Sequence, residues 1–342
     1  IGDAVPRTQF IAFLRQKVSS AFDETAKAQL FTNKAKDWFS DVFVDVDSDF
    51  AEEHRITTQE WKFQCYVTNS LVLPQIIKMA IDRWLESVEV DKPRGTIIYT
   101  YVTPSENIDE IKKKTTISLR QMAKESGYKD VPVIVVFLND EIGELGKNFA
   151  EYHVLESMTE SDKLRFGNLV GAHREKLFAT LQDQIESLLR ARIWVAGLER
   201  APESRKLNAL CTEIFKKIYP NPITFPFDGF NTARGNAADT CHELIRELVL
   251  GKLDYNGIMV KPEKVKNRAI TVLNQAWKIF NKNGTISRRP ESAVINDLSV
   301  FYDEQLNKDG KFSLPDCVKQ LCLPPYGANL ASAGLFLGAY IA

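Results

Sequence analysis

The spacing of apolar side chains predicts both helices and strands in the first third of the chain. Apolar residues recur every three or four positions over residues 8–38 and again over residues 71–88, which predicts two helical regions. Between them, the run Val42-Phe43-Val44-Asp45-Val46 predicts a short strand. This part of the chain therefore mixes α and β structure.

Two almost uninterrupted apolar runs predict a buried parallel unit. Residues 95–102 and 132–138 are rich in β-branched and aromatic residues, as strands are. The segment between them opens with Thr103-Pro104-Ser105-Glu106 and has helical periodicity to about Glu125. A helix that joins two fully apolar strands is typical of a parallel βαβ crossover, in which both faces of the sheet are covered. The N-terminal part is thus predicted to have an α/β fold.

Strand patterns become rare beyond residue 151, and helical periodicity replaces them. The longest periodic stretch runs from residue 161 to about 198, and proline and glycine residues separate the shorter ones. These shorter helices are predicted over residues 203–218, 236–251, 262–282, 290–307 and 313–322, and a last one begins near Asn329. The sequence therefore predicts an α/β domain over 1–155 and a mostly helical domain over 156–342, and a chain that is predominantly helical overall.

Composition excludes several classes of protein. The 342 residues are 44% hydrophobic and 26% charged, which excludes disordered and collagen-like chains. With 44 Lys and Arg against 45 Asp and Glu the net charge is -1, so a nucleic-acid surface would have to be a local patch. The 5 cysteines form no CxxC pair, which favours a reducing compartment. Because no apolar run is long enough for a membrane span and no secretory leader is present, we expect a cytoplasmic protein without a membrane partner.

The two ends of the chain suggest a piece of a longer polypeptide. The first residue is Ile1 rather than Met, and the last residues, 335–342, form an apolar run without a polar cap. We therefore expect truncation at both ends, with part of any active site outside this sequence.

The end of the second predicted strand carries the first candidate for chemistry. Asp140 and Glu141 follow the apolar run, and in P-loop ATPases acidic residues at the carboxyl end of such a strand bind Mg²⁺ and orient water. The chain contains no GxxxxGK[ST] motif, and the Gly146-Lys147 pair follows the strand instead of preceding it. A buried strand with a solvated acidic turn explains the same pattern.

A second candidate is a nuclease site that would hold a metal ion. Asp47 and Asp49 precede Glu60 and Lys62 by the distance at which several nucleases place an Asp before Glu-x-Lys. Two carboxylates would bind the metal ion, and the lysine would polarise the attacking water or the phosphate. Short patterns of this kind are common in charged proteins, and an exposed acidic loop is the alternative interpretation.

The third candidate is a local excess of positive charge. Residues 252–289 contain nine basic and two acidic side chains, although the chain as a whole is nearly neutral. Lys261, Lys264 and Arg268 have the spacing of one helix face. A surface of this kind would bind nucleic-acid phosphates without regard to sequence and would be sensitive to salt. The candidate phosphate-binding residues are Lys261, Lys264, Arg268, Lys278, Lys282, Arg288 and Arg289.

Two further segments are less generic than the rest. Residues 225–236 combine aromatic residues, turn formers and one arginine, and Leu323-Pro324-Pro325-Tyr326-Gly327 precedes an apolar run of small residues. The second segment, with the residues that follow it, resembles a region of the large P-loop ATPases of bacterial anti-phage defence, in particular the ATPase family of BREX-type systems. The resemblance covers mainly residues 203–342. It implies an internal part of a multidomain cytoplasmic protein that couples ATP hydrolysis to the handling of DNA or partners.

These observations favour a non-catalytic interaction or scaffold module of a larger ATPase. Its expected partners are other domains or subunits of the assembly and DNA. The chain itself is expected to hold no cofactor or metal, while ATP and Mg²⁺ would belong to the parent protein. The alternative is an enzyme, either part of a nucleotide-hydrolysing core or the metal-dependent nuclease.

Overall fold

The computed structural model describes residues 6–38, 43–56, 60–86, 93–226 and 236–342, with the side chains of residues 37 and 236–238 left out. Helices predominate in this part of the chain, and a mixed sheet with parallel strands lies towards the N-terminus. The fold class that the sequence predicts, an α/β part followed by a helical array, is confirmed.

The helices of the N-terminal half are interrupted more often than the apolar periodicity predicts. The first helical region is two helices, because Asp23 caps the second one by accepting a hydrogen bond from the backbone N–H of Ala26. The helices are Arg7–Ala21 (α1), Glu24–Lys34 (α2), Ser48–His54 (α3), Leu73–Leu85 (α4), Ile108–Glu125 (α5), Glu144–Glu156 (α6), Glu160–Phe166 (α7) and Asn168–Arg190 (α8), with a 3₁₀ turn at Ala35–Trp38.

The helices of the C-terminal half follow their predicted bounds more closely. The last of them begins where the sequence indicates, since Asn329 and Ser332 form a capping box. The helices are Leu207–Ile218 (α9), Asn236–Val249 (α10), Tyr255–Met259 (α11), Glu263–Ala269 (α12), Ala293–Asp309 (α13), Leu314–Cys322 (α14) and Leu330–Ile341 (α15), and a π-helical segment, Ile270–Ala276, continues α12.

The described strands form one sheet in the order β1-β2-β3-β4-β5. They are Phe43–Asp45 (β1), Lys62–Asn69 (β2), Gly95–Val102 (β3), Val133–Asn139 (β4) and Trp194–Ala196 (β5). β3 and β4 pair in parallel across α5, with Tyr99 opposite Val136, and both strands are buried along their whole length. The predicted βαβ unit is therefore present. β5 pairs antiparallel with β4, although the apolar periodicity predicts helix to about residue 198.

The chain divides into two compact units, each built from separate segments of sequence. Unit 1 comprises residues 1–43, 64–81 and 96–201, and unit 2 comprises residues 44–63, 82–95 and 202–342. In unit 1, α6 packs against α1, α2 and α8. In unit 2, α10 and α15 pack closely around a core that includes Trp277, Tyr302 and Phe336. The domain boundary that the sequence predicts near residue 155 stays a prediction.

Candidate nucleic-acid interface

Two short helices of unit 2 form a helix–turn–helix. α11 ends at Met259, three residues form the turn, and α12 begins at Glu263. Asp254 starts α11 by accepting a hydrogen bond from the backbone N–H of Gly257 at 2.6 Å, and Pro262 precedes α12 in an extended conformation. A turn of this length between two helices is the connection found in helix–turn–helix motifs.

A β-hairpin follows the second helix. Its two arms meet at a single antiparallel bridge, between Phe280 and Ile286, and the N–H of Asn281 donates to the carbonyl oxygen of Thr285 at 2.8 Å. The tip contains Lys282 and turns at Gly284, whose φ of 85° lies in the left-handed region that suits glycine. The Phe280 ring contacts the Tyr255 ring, so the hairpin is held against the start of α11.

The second helix presents a polar surface opposite its buried side. Ala269, Val272 and Leu273 are buried in the core of unit 2. On the other side Lys264 and Asn267 are exposed, and Arg268, four residues before the buried Val272, is partly exposed at the edge of the polar surface. The sequence predicts this helix over residues 262–282, but the helix ends at Ala276, and the hairpin occupies the rest of that segment.

Ion pairs within unit 2 neutralise several of the candidate cations. The Lys261 ammonium lies 2.7 Å from a carboxylate oxygen of Glu243 and 2.6 Å from one of Glu247. Burial lowers the pKa of Lys261, but the hydrogen bonds to these carboxylates outweigh that effect and raise it. Lys261 therefore faces α10 and lies before α12, not on one helix face with Lys264 and Arg268.

The remaining candidates fall into two groups, apart from Arg268, which has other contacts within the chain. The first group is paired: Lys278 lies 3.8 Å from Glu291, and Arg289 lies 2.7 Å from Asp303. The second group consists of exposed side chains that form no ion pair within the described residues, and these lie on the second helix, at the hairpin tip and just after the hairpin. They are Lys264, Lys282 and Arg288.

In unit 1, Asp140 lies at the carboxyl end of β4, where the sequence predicts it. Its carboxylate accepts hydrogen bonds from the Tyr101 hydroxyl at 2.9 Å and from the backbone N–H groups of Leu145 and Gly146 at 3.2 and 2.8 Å. Burial and the adjacent carboxylate raise the pKa of Tyr101. The two backbone hydrogen bonds fix the start of α6, while Glu141 is exposed and accepts a hydrogen bond from the side-chain amide of Asn139. The geometry thus gives Asp140 a structural task at a helix terminus.

The four nuclease candidates have different environments. Asp47 precedes α3, Asp49 is exposed in its first turn, and Lys62 begins β2. Glu60 is buried, and its carboxylate lies 2.8 Å from the Arg94 guanidinium. Within the described part of the chain, no group of three or more His, Cys, Asp or Glu side chains is arranged to hold a metal ion. The catalytic alternatives stay predictions.

Arg94 is the central residue of a buried polar cluster that the sequence did not indicate. Its guanidinium donates to the carbonyl oxygens of Cys322 and Ala328 and stacks on the Trp61 ring at 4.6 Å. These two carbonyls bracket the turn at residues 323–327 on which the resemblance rests. In unit 2 this turn therefore covers a buried ion pair. Of the aromatic loop at residues 225–236, the part from residue 227 to 235 lies outside the described residues.

Comparisons with known proteins give no relative. No protein-family model, no curated protein and no solved structure matches the chain. Within the described residues, none of the helices has both the length and the apolar character that crossing a membrane requires.

Proposed function

We propose that this chain is a non-catalytic interaction module that binds double-stranded DNA through unit 2. The observation that carries the proposal is the succession of helix, turn, second helix and β-hairpin over residues 255–287, with exposed, unpaired cations on the second helix and on the hairpin. In helix–turn–helix proteins the second helix enters the major groove, and neighbouring elements contact the backbone.

The side chains on the second helix suit contact with DNA. Lys264, Asn267 and Arg268 are polar groups of the kinds that hydrogen-bond phosphates and base edges. The opposite side of the helix is anchored in the core by Val272 and Leu273, so the polar side is held in a fixed orientation. Lys282 at the hairpin tip supplies a second point of contact with the phosphate backbone.

The number of unpaired cations determines the expected salt dependence. If Lys264, Lys282 and Arg288 each neutralise one phosphate, the logarithm of the association constant falls with the logarithm of salt concentration with a slope of about -2.7. This slope corresponds to a loss of roughly 40-fold in affinity between about 50 and 200 mM salt. A surface on which all nine basic residues were free would give a much steeper loss.

The proposal also assigns the chain to a larger assembly. The resemblance of residues 203–342, carried by the turn at residues 323–327 and the residues that follow it, to ATPases of BREX-type defence systems supports an internal part of such a protein, in which ATP hydrolysis would take place in other domains. In this proposal the chain provides recognition, and the catalytic machinery belongs to the parent protein.

Binding of the full chain to a fluorescent duplex of about 20 base pairs tests the proposal. We expect Lys264→Glu and Lys282→Glu each to lower the affinity about fivefold to tenfold at low salt and to make the salt dependence shallower. Lys308→Glu is the matched control, because Lys308 is an exposed lysine of α13 in the same unit. The proposal is wrong if the wild-type chain does not bind the duplex at about 50 mM salt, or if all three variants bind equally well.

A further inference from the structure

A cavity of about 780 Å³ lies in unit 2 at the base of the hairpin. Its size is in the range of sites for small organic molecules. It is lined by one end of the hairpin, by α13, by the segment after α13 and by the end of α15. The lining residues are Ile279, Ile286, Ser287, Arg288, Pro290, Ile295, Ser299, Asp303, Leu306, Asn307, Lys311, Phe312, Phe336, Ala339, Tyr340, Ile341 and Ala342.

Three aromatic residues give the cavity an apolar wall, in which Phe336 is buried and Phe312 and Tyr340 are partly exposed. The Phe336 and Tyr340 rings stack with an interplanar angle of 24°, and the Phe312 ring lies 6.0 Å from that of Tyr340. Ile279 and Ile295 extend this wall on the core side, and both are buried. A planar or aliphatic group would find complementary surface here.

The charged side chains that line the cavity leave an excess of positive charge. Arg288 and Lys311 are exposed and form no ion pair within the described residues. Asp303 is already engaged, because its carboxylate accepts from the Arg289 guanidinium at 2.7 Å and from the Tyr340 hydroxyl at 3.0 Å. The hydrogen bond from Arg289 holds the pKa of Asp303 below its ordinary value, although burial raises it.

The neutral polar groups are largely occupied. The Ser299 hydroxyl donates to the carbonyl oxygen of Ile295, and the Ser287 hydroxyl donates to that of Arg289. The Asn307 amide forms no hydrogen bond within the described residues, and it can serve as an additional donor or acceptor. The groups that can bind a ligand are therefore the two cations, one amide and the aromatic wall.

We propose that this cavity binds a small amphipathic monoanion, a carboxylate attached to an aromatic or aliphatic body. The carboxylate forms charge-assisted hydrogen bonds with Arg288 and Lys311. The body of the ligand lies against Phe312 and Tyr340, whose rings are partly exposed, and displaces water from them. This inference goes beyond DNA binding and does not depend on it.

Three probes of similar shape and different charge test the inference: naphthoate, naphthylmethanol and naphthylmethylammonium. Calorimetric titration of the full chain without DNA is expected to give the highest affinity for naphthoate, about tenfold above naphthylmethanol, and the lowest for the cation. We expect Lys311→Glu to lower the affinity for naphthoate about tenfold and to leave that for naphthylmethanol within about twofold.

Lys308→Glu is again the control, since Lys308 is an exposed lysine close in sequence to Lys311 that does not line the cavity. Its affinity for naphthoate should equal that of the wild-type chain. Lys311→Gln, which only removes the charge, serves as a second variant, and a thermal unfolding midpoint equal to the wild-type value verifies folding. Equal affinities for the three probes, no heat of binding with any of them, or equal losses in the Lys308 and Lys311 variants would each overturn the inference.

Discussion

The backbone N–H of Tyr255 donates a 3.0 Å hydrogen bond to the carbonyl oxygen of Gly284. This bond joins the first residue of α11 to the tip of the hairpin, which are 29 positions apart in sequence. It fixes the hairpin beside the helix–turn–helix, so Lys264 on the second helix and Lys282 on the hairpin belong to one rigid element of unit 2. A rigid element of this kind can present both cations to a duplex without a large cost in conformational entropy.

The first prediction separates a structural lysine from a phosphate-binding one. Lys261→Ala removes the ammonium that is shared by Glu243 and Glu247, and it should lower the free energy of unfolding by about 0.5–1 kcal/mol. Relative to the wild-type chain, the salt dependence of DNA binding should change less in the Lys261→Ala variant than in the Lys264→Ala variant. Urea unfolding and DNA titrations over a salt series measure the two effects, and an equal change of slope in both variants would contradict the assignment.

The second prediction concerns the carboxylate at the end of β4. Asp140→Ala deprives the Tyr101 hydroxyl and the start of α6 of their acceptor, and it should destabilise unit 1 by about 2–3 kcal/mol. The adjacent Glu141→Ala should change stability by less than about 0.5 kcal/mol, because Glu141 is exposed. Urea unfolding monitored by circular dichroism measures both. If both variants have wild-type stability, Asp140 is not a structural residue and a catalytic role regains support.

The third prediction is a double-mutant cycle on the buried ion pair. Arg94→Met leaves the Glu60 carboxylate buried without its partner and should cost about 3–5 kcal/mol in the free energy of unfolding. The double variant Glu60→Leu, Arg94→Met should recover a large part of this loss, since no charge is then left unpaired. If the loss of stability in the double variant equals the sum of the losses in the Glu60→Leu and Arg94→Met single variants, the two side chains do not interact.

The fourth prediction is a dependence of stability on pH. Burial raises the pKa of Glu213, but hydrogen bonds from Lys217, Ser204 and Glu203 outweigh it and lower the pKa to about 2, against an ordinary value of 4.5. A lowered pKa in the folded state means that the ionised carboxylate stabilises the fold above pH 4.5 and that this contribution disappears as the pH falls towards 2.

Glu213→Gln should therefore destabilise the protein at neutral pH, by less than about 1 kcal/mol because the side chain is partly solvated. The difference from the wild-type chain should shrink steadily when unfolding is measured at successively lower pH below 4.5. A difference that stays constant over this range would contradict the proposed cause.

The fifth prediction links the cavity to the DNA-binding surface. Arg288 lies at the rim of the cavity and also belongs to the exposed cations of the proposed interface. A bound naphthoate should neutralise it and weaken DNA binding a few-fold, and by reciprocity DNA should weaken naphthoate binding by the same factor. Anisotropy titrations with saturating naphthoate or naphthylmethanol measure the effect. If the chain binds both naphthoate and DNA and saturating naphthoate leaves its DNA affinity unchanged, the cavity and the DNA-binding surface are not coupled.

The sequence predicts those helices and strands whose formation depends on residues close together in the chain, such as apolar runs and helix caps. The parallel pair β3 and β4 follows from two apolar runs that can be buried only between covering layers, and α15 begins at Asn329 because its side chain satisfies a free N–H group of the first turn. β5 is only three residues long and takes its partner from β4, so no alternation within its own sequence indicates it. The hairpin is equally short, with a bridge at a single residue pair.

The sequence predicts which basic residues the candidate site contains, but not which of them form ion pairs in the folded chain. The excess of basic residues over 252–289 is visible in the sequence, yet which of them are free depends on carboxylates elsewhere in the chain. Glu243, which engages Lys261, is 18 positions away, and Asp303, which engages Arg289, is 14 positions away. The contacts of Arg94 span a still longer range, since its partner carbonyls at Cys322 and Ala328 lie more than 200 positions further along the chain. Contacts of this range leave no periodic signal.

The way the two compact units share the chain has a practical consequence for deletion experiments. Unit 2 takes residues 44–63 and 82–95 from within the sequence that otherwise forms unit 1. Cleavage after residue 201 would therefore separate Glu60 and Arg94 from the carbonyls of Cys322 and Ala328 that complete their cluster. A C-terminal half expressed alone would unfold or aggregate for this reason, and its failure to bind DNA would carry no information about the surface of the intact protein.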